Sequence, residues 1–283
     1  MSNQIKTVLL LGTLTAIIVW FGNAVGGQQG MITALIMAAG MNFFSYWFSD
    51  KMVLRMYSAQ EVSPQEAPEL HAMVSDLARE AGVPVPRLFV IPQDTPNAFA
   101  TGRDPQHAVV AVTQGITRLL SPTELKGVLA HEMSHVRNRD ILIQSVAATL
   151  GGAIMVLADM FRFSAMYAGG SSSEEGQQRG GLSMLVMAML APFAAMLIQM
   201  AISRSREYIA DETGAQLCHN PESLASALEK LAYSNQQIPM QVNPATENMF
   251  TVSPLTGGGL MSLFSTHPPI EERIARLRAM RLG

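Results

Sequence analysis

Two histidines four residues apart, with a glutamate directly after the first, form the pattern in this chain with the clearest chemical meaning. His131, Glu132 and His135 lie in the stretch VLAHEMSHVRNRD, residues 128–140. On an α-helix, residues four apart are offset by about 40° around the axis, so both imidazoles would face one side and could hold one cation. In this HExxH arrangement the histidines bind Zn²⁺, and the glutamate accepts a proton from the metal-bound water. The pattern predicts a hydrolytic site with one Zn²⁺ per chain and Glu132 as base.

A catalytic zinc site normally has a third protein ligand, which must come from elsewhere in the chain. The stretch SRSREYIADETGA places Glu207 and Asp211 four residues apart on a predicted helix. Glu207 could bind the metal, while Asp211 could accept the ring N–H of one ligand histidine. Two solvated carboxylates on an amphipathic helix are the alternative interpretation. Glu207 is favoured because it follows an apolar run that would return the chain to the membrane face where the histidines lie.

The N-terminal fifty residues are apolar enough to lie in a membrane. No charged residue occurs between Lys6 and Asp50, and about 20 apolar residues suffice to span a bilayer. The stretch FGNAVGGQQG, residues 21–30, is typical of a turn, so residues 1–50 are predicted to form a transmembrane hairpin. A cleaved signal peptide is the alternative, but a second apolar run follows the first directly and favours the hairpin.

Two later apolar runs predict a second transmembrane hairpin at residues 141–203. The run at 141–158 is only marginally long enough to cross, whereas the run at 180–203 is comfortably long. Whether both of them cross the bilayer therefore stays open. The polar segments 51–140 and 204–283 are predicted to be two parts of one protease domain, which carry the HExxH pattern and the third ligand respectively.

The first polar segment combines helix and strand signals. Ser63 and Pro64 open an amphipathic pattern that is predicted to end at Gly82. The β-rich runs RLFVI and HAVVAV then predict a small hairpin or sheet. A further helix should begin at Ser121, with proline at its first position and Glu124 completing a capping box. The predicted fold class is a mainly α integral membrane protein, with transmembrane helices and a zincin-like α+β catalytic domain.

Charge indicates which side of the membrane carries the site. In the four-span model the basic residues near the apolar runs share one side, and by the positive-inside rule that side is cytoplasmic. These residues are Lys6, Lys51, Arg55, Arg137, Arg139, Arg204 and Arg206. The net charge is only −3 and no basic stripe appears, so nucleic-acid binding has no support. The single cysteine excludes an intramolecular disulfide.

The stretches around these residues resemble a known family. HEMSH preceded by ELKGVLA, with SREYIAD downstream, PNAFATG upstream and a late THPPIEERI, is similar to the HtpX-type membrane zinc endopeptidases. The wider family includes the prenyl-protein (CAAX) endopeptidases, and the resemblance covers nearly the whole chain. It implies a bacterial inner-membrane protease of stress-linked membrane protein quality control, with membrane proteins as substrates. It also implies His131, His135 and Glu207 as zinc ligands and Glu132 as base, but indicates neither the natural substrates nor an oligomeric state.

Other residues are candidates for binding substrate or its transition state. An extended substrate could pair through main-chain hydrogen bonds with a sheet edge, and the family comparison supports this for Asn97, Ala98, Phe99 and Ala100. The same segment could instead be only a turn into a strand. His267 could polarise the substrate carbonyl or stabilise the oxyanion, as could Arg204 or Arg273. Alternatively, His267 caps the final helix.

Two other functions compete with a quality-control protease. A prenyl-peptide processing protease would share the same site, but by family resemblance those enzymes enclose a larger membrane chamber with more spans. A non-catalytic scaffold or a transporter would use HEMSH structurally. A transporter should place polar or charged residues within its spans to line a path, and these spans offer chiefly Asn, Ser, Thr and Gln. The sequence therefore favours a protease.

Overall fold

The computed structural model describes residues 3–149, 204–237, 249–252 and 268–281. Within these ranges the chain is mostly helical and contains one small sheet. The predicted second hairpin lies outside the described residues except for its first nine, 141–149, which are helical.

The first helix, α1 (Asn3–Met56), reverses direction at a pair of glycines. Gly26 and Gly27 leave helical geometry, and Gly27 has φ +56° and ψ −146°, a conformation that glycine adopts without steric cost. The reversal lies inside the predicted turn at residues 21–30. In the described part of the chain, Gly26–Met56 is long and apolar enough to cross a membrane by length and composition.

The two arms of α1 pack closely side by side. Asn42 Nδ2 donates to Thr15 Oγ1 over 2.8 Å, and a Cβ added at Gly22 would lie 2.6 Å from the carbonyl oxygen of Gly30. Many apolar side chains of the arms remain exposed, including Ile5, Val8, Leu9, Trp20, Ile32, Leu35, Ile36, Met37, Phe43 and Phe44. So large an apolar surface is suited to lipid and unfavourable in water.

The sheet lies between the end of α1 and the helix that carries His131 and His135, and it has the strand order β1-β2-β4-β3. The predicted β-rich runs become β2 and β4, which pair in parallel, so the hairpin alternative for these two runs is wrong and the sheet is correct. β3 pairs antiparallel with β4 and forms one edge of the sheet among the described residues. The strands are β1 (Gln60–Glu61), β2 (Arg87–Ile91), β3 (Ala98–Thr101) and β4 (Val109–Thr113).

The helices of the first polar segment begin and end largely where local signals place them. The expected start of α2 near Ser63 is wrong, because the Ser63 N–H donates to the Glu66 carboxylate over 2.7 Å and closes a separate turn. The predicted end is confirmed, since Gly82 adopts the left-handed conformation with φ +67°. The helices are α2 (Pro68–Ala81), α3 (Gln114–Leu119) and α4 (Pro122–Arg137), with a short 3₁₀ turn at Pro105–His107.

Helix α4 is the centre of the domain. The predicted capping box is confirmed, because Ser121 and Glu124 each bond the other's backbone N–H. Besides the helical residues 141–149, three later helices complete the described fold: α5 (Arg204–Leu217), α6 (Pro221–Gln237) and α7 (Ile270–Ala279). Helices α5 and α6 pack directly on α4. A Cβ added at Gly214 in α5 would lie only 2.8 Å from the Cα of His131, so the absent side chain lets the two helices meet.

The segment after α4 joins the domain to the hairpin. Ile143, Val146 and Ala147 form one buried cluster with Leu10 of the first arm, and Met41 of the second arm packs against it. Helix α4 is therefore followed, within a few residues, by a helix that lies against the apolar hairpin.

Candidate active site

The HExxH pair and the predicted third ligand converge at one point. The Nε2 atoms of His131 and His135 are 3.2 Å apart. Glu207 places Oε2 at 3.6 Å from Nε2 of His131 and Oε1 at 3.7 Å from Nε2 of His135. The three side chains can offer ligand atoms that all lie within 4.8 Å of one another, and all three residues are buried. Two imidazole nitrogens and a carboxylate in so compact a group are a donor set that fits a divalent metal ion.

Each ligand histidine has a carboxylate on its other ring nitrogen. Asp211 Oδ1 lies 2.9 Å from Nδ1 of His131, and Asp140 Oδ2 lies 3.1 Å from Nδ1 of His135. A carboxylate at Nδ1 keeps the proton there and presents the Nε2 lone pair to a metal. The sequence nominated Asp211 and missed Asp140.

Asp140 reaches His135 because the chain turns back at the end of α4. Arg139 adopts a positive φ of 57°, and the Asp140 N–H donates to the His135 carbonyl over 3.2 Å. The sequence does show a carboxylate, Asp140, five residues after His135. This carboxylate can reach the His135 ring only if the helix ends between the two residues.

The surroundings of the two imidazoles favour positive charge. Burial alone would lower the pKa of His131, but Asp211 and Glu207 outweigh it and raise the pKa to about 10. Burial likewise opposes protonation of His135, yet Asp140 and Glu207 raise its pKa. The protein thus supplies an environment that stabilises a cation at the point where the ligand atoms meet.

Arg273 lies behind this group. Its Nε and Nη2 donate to the two carboxylate oxygens of Asp211 over 2.8 and 2.7 Å. Its Nη1 donates to the Thr251 carbonyl over 2.8 Å. The sequence nominated Arg273 to polarise the substrate carbonyl or stabilise the oxyanion, but in this geometry its guanidinium holds Asp211.

One of the other two transition-state candidates is not brought to the ligands, and the other lies outside the described residues. Arg204 is exposed at the start of α5, where it lies beside Tyr208 and Glu272, so the expectation that it stabilises an oxyanion finds no support in its position. His267 lies outside the described residues.

Arg206, which sequence reasoning used only for membrane orientation, is the buried neighbour of the site. Burial lowers the pKa of Arg206, and the negative charges of Asp140 and Glu207 oppose this effect. Among the described residues, no group accepts a hydrogen bond from its guanidinium. The signal was its place directly before the Glu207 ligand.

The expected base and the expected substrate strand lie beside these ligands. Glu132 is 1% exposed, and its Oε1 accepts a hydrogen bond from Thr251 Oγ1 over 2.6 Å. Ala98, Phe99 and Ala100 lie in β3, the edge strand that packs against α4, with Asn97 directly before it. Thr251 carried no signal in the sequence.

Comparison with known proteins assigns the chain to a protein family. Residues 64–281 match the model of Peptidase family M48. The chain belongs to this family. The resemblance drawn from the motifs is thereby confirmed, and so is the enzyme class, since M48 members are metalloproteases.

Relatives match this M48 chain over nearly its full length. The Protease HtpX homolog of Desulforapulum autotrophicum is 58% identical over 278 residues, which cover 98% of this chain and 90% of the relative. The Protease HtpX homolog of Syntrophobacter fumaroxidans is 56% identical over 282 residues, covering 99% of this chain and all of the relative. Together with the apolar hairpin, these relatives identify a membrane metalloprotease.

A solved structure shares the fold of this M48 chain. The crystal structure of S. mikatae Ste24p superimposes with a TM-score of 0.55 at 18% sequence identity and covers 97% of this chain. The chain spans 65% of the length of Ste24p. At this identity the likeness concerns the fold alone.

Proposed function

We propose that this chain is a zinc-dependent endopeptidase that cleaves exposed, unfolded segments of membrane proteins at the cytoplasmic face of a bacterial inner membrane. The observation that carries this proposal is the buried group of His131, His135 and Glu207, with Glu132 on the same helix turn. Stress-linked membrane protein quality control is the proposed role. The relatives named Protease HtpX homolog, at 52–58% identity, support it.

The side chains divide the chemistry between holding the metal and moving a proton. His131, His135 and Glu207 would hold one Zn²⁺ per chain, which when bound polarises the scissile carbonyl and lowers the pKa of water toward about 7. Glu132 would accept a proton from the attacking water and pass it to the leaving amine. Asp211 and Asp140 keep the proton of each histidine on Nδ1, so that both rings present Nε2.

The proposed topology has four spans and one divided domain. Residues 1–50 and 141–203 form the two hairpins, and segments 51–140 and 204–283 form the catalytic domain between and after them. The packing of residues 141–149 on the first hairpin supports this arrangement. The basic residues at the membrane-flanking ends favour a cytoplasmic domain.

A prenyl-peptide processing protease is the less supported alternative. It would use the same ligands and base, so the site does not separate the two functions. The relatives that match over nearly their full length carry the HtpX name, which favours membrane-protein substrates.

The test is metal analysis together with a casein-cleavage assay on the purified full-length protein, with Glu132→Gln as the decisive variant. The wild type should carry about one zinc per chain, cleave casein and lose activity with a chelator. Glu132→Gln should keep its zinc and lose activity by at least about 100-fold, because the ligands are untouched while the base is removed. Glu69→Gln, an exposed glutamate on α2, is the matched control and should behave as wild type. Near-normal activity in Glu132→Gln would remove this residue from the mechanism.

A further inference from the structure

Residues 249–252, called the strap below, lie along the sheet edge at which substrate is expected to bind. The Thr251 N–H donates to the Ala98 carbonyl over 3.1 Å. Asn97 holds the next residue from both sides, because its Nδ2 donates to the Val252 carbonyl over 2.8 Å and its Oδ1 accepts from the Val252 N–H over 3.5 Å. An extended substrate would use the same main-chain groups.

The Ala98 carbonyl is the group that an added strand would need. Thr113 N–H donates to the Asn97 carbonyl over 2.9 Å, so Asn97 and Thr113 take the position of a hydrogen-bonded pair in the antiparallel ladder, although the Asn97 N–H donates to Thr113 Oγ1 over 2.9 Å. The next pair, Ala98 with Val112, is then a non-hydrogen-bonded pair. The carbonyl of Ala98 therefore points away from β4 toward the outer edge, where Thr251 binds it.

The strap also reaches the base. Thr251 Oγ1 lies 2.6 Å from Glu132 Oε1 and 3.2 Å from the Ala98 oxygen, and the shorter contact is to the charged acceptor. One residue thus occupies both the main-chain anchor of the edge strand and the carboxylate that must receive a proton. Glu132 and the three ligands are at most 4% exposed, so a peptide can reach them only after a covering segment moves, and the strap is a segment that contacts Glu132 directly.

The side chain of Phe250 fills an aromatic pocket next to these contacts. Its ring meets that of Tyr57 edge-on at a centroid distance of 5.2 Å and that of Phe99 at 5.4 Å. Phe99 belongs to β3, and Tyr57 directly follows α1. The pocket therefore combines the edge strand with the end of the membrane hairpin, and it holds a large apolar side chain one residue before the one that contacts Glu132.

We propose that the strap is an internal occupant of the substrate groove, and that the Tyr57–Phe99 pocket takes a large apolar substrate side chain, aromatic by preference, once the strap has left. The proposal rests on the proposed function, because it concerns the same Glu132. Substrate and strap exclude each other, since both need the Ala98 carbonyl and access to the base. The strap therefore lowers the apparent affinity for substrate to the intrinsic affinity multiplied by the fraction of molecules from which the strap has left, without changing the chemical step.

The direction in which Thr251→Val changes KM tests this proposal. The variant keeps the shape of the side chain and removes the hydroxyl that holds Glu132, while Thr251→Ser keeps the hydroxyl and is the matched control. With full-length, zinc-loaded protein and a quenched peptide containing a central Phe, Thr251→Val should lower KM about tenfold and leave kcat within about twofold. Thr251→Ser should resemble wild type. A fall in kcat at unchanged KM would overturn the proposal, because it would make Thr251 a positioning residue for the base, and unchanged kinetics would overturn it as well.

The pocket is tested by varying the peptide. With Phe, Leu, Ala or Asp at each position around the scissile bond, one position should favour Phe over Ala by about tenfold or more in kcat/KM, since burying a phenyl ring is strongly favourable. Equal rates at every position would exclude a selective pocket.

Binding without turnover separates this proposal from the protease assignment. In the Glu132→Gln background, fluorescence anisotropy of a labelled peptide with a central Phe measures occupation of the groove directly. Adding Thr251→Val should tighten binding severalfold, less than the fall in KM because Glu132→Gln has already removed the charge of the acceptor, and replacing the peptide Phe by Ala should weaken binding. Equal affinity with and without Thr251→Val would refute the strap, whereas failure of the wild type to cleave any peptide would refute the proposed function alone.

Discussion

Oδ1 of Asp211 lies 2.9 Å from Nδ1 of His131, and both oxygens of this carboxylate also accept hydrogen bonds from Arg273. Burial would raise the pKa of Asp211, but Arg273 and His131 outweigh it and hold the pKa below its usual range. Asp211 is therefore ionised at neutral pH and can keep the proton of His131 on Nδ1. A buried arginine from the last helix thus acts on a proposed zinc ligand through one intervening carboxylate.

Variants of the metal ligands and variants of the supporting carboxylates should differ in zinc affinity, which a competition titration against a chelator measures. Glu207→Ala should abolish tight binding because it removes a ligand atom, whereas Asp211→Asn and Asp140→Asn should each weaken affinity by about 10 to 100-fold. Glu212→Gln, an exposed residue on the same helix as Glu207, should retain wild-type affinity. If Glu207→Ala binds zinc as tightly as wild type, the third ligand has been misassigned.

Gly214→Ala should damage the metal site although Gly214 is not one of the proposed metal ligands. Its Cβ would come within 2.8 Å of the His131 backbone, so α5 must move away from α4 and carry Glu207 with it. We expect weaker zinc binding and at least about tenfold lower activity, even though alanine favours a helix over glycine by about 1 kcal/mol. Gly40→Ala, where a Cβ would meet nothing within 4 Å, is the control. Unchanged zinc affinity in Gly214→Ala would show that the close approach is dispensable.

Local patterns in the sequence predicted the elements that depend on neighbouring residues. The capping box of Ser121 and Glu124, the left-handed Gly82 and the glycine reversal of α1 all involve residues close in sequence. The spacing of His131 and His135 determined their shared face for the same reason. Glu207 was reachable because a zinc site requires a third ligand, which restricts the choice to a few residue types.

The features that sequence reasoning missed depend on contacts between distant segments. Thr251 meets Glu132 across 119 residues, and no local pattern marks a threonine for such a contact. The parallel pairing of β2 with β4 was missed because short β-rich runs do not determine which strand lies beside them. Arg204 was nominated over Arg206 because two arginines two residues apart on a helix differ chiefly in the face on which they lie.

The start of α4 should depend on the ionised carboxylate of Glu124. Its Oε1 accepts from Ser226 and its Oε2 from Lys230. Burial would raise the pKa of Glu124, but these partners and Ser121 outweigh it and lower the pKa to about 2. Because the folded pKa lies below the unfolded one, the stabilisation is complete above about pH 4.5 and is lost as the pH falls toward about 2.

Glu124→Gln should therefore destabilise the protein by about 2 kcal/mol at neutral pH, or roughly 4–8 °C in melting temperature. Melting curves of metal-free protein from pH 7 to pH 3 would measure this, since zinc loss then makes no contribution. The difference from wild type should narrow below about pH 4.5. A difference that stays constant down to pH 3 would contradict the assigned role of the charge. The exposed Glu69→Gln variant should show only a small change at any pH.

Cleavage should favour segments close to the membrane, because the metal site lies next to the hairpin. The chain leaves His135 and within six residues enters a helix whose Ile143 packs with Leu10 of α1. The scissile bond should thus approach within roughly 10–15 Å of the bilayer surface.

This preference is tested with one cleavable, disordered linker placed at increasing distances from the last span of a model membrane protein. The same linker on a soluble folded carrier is the control. Tethering raises the effective concentration, so the membrane series should be cut faster wherever the linker can reach the site, and a linker on the opposite face should not be cut. Equal rates for tethered and soluble linkers at matched concentration would count against the membrane-protein substrates and leave the zinc protease assignment intact.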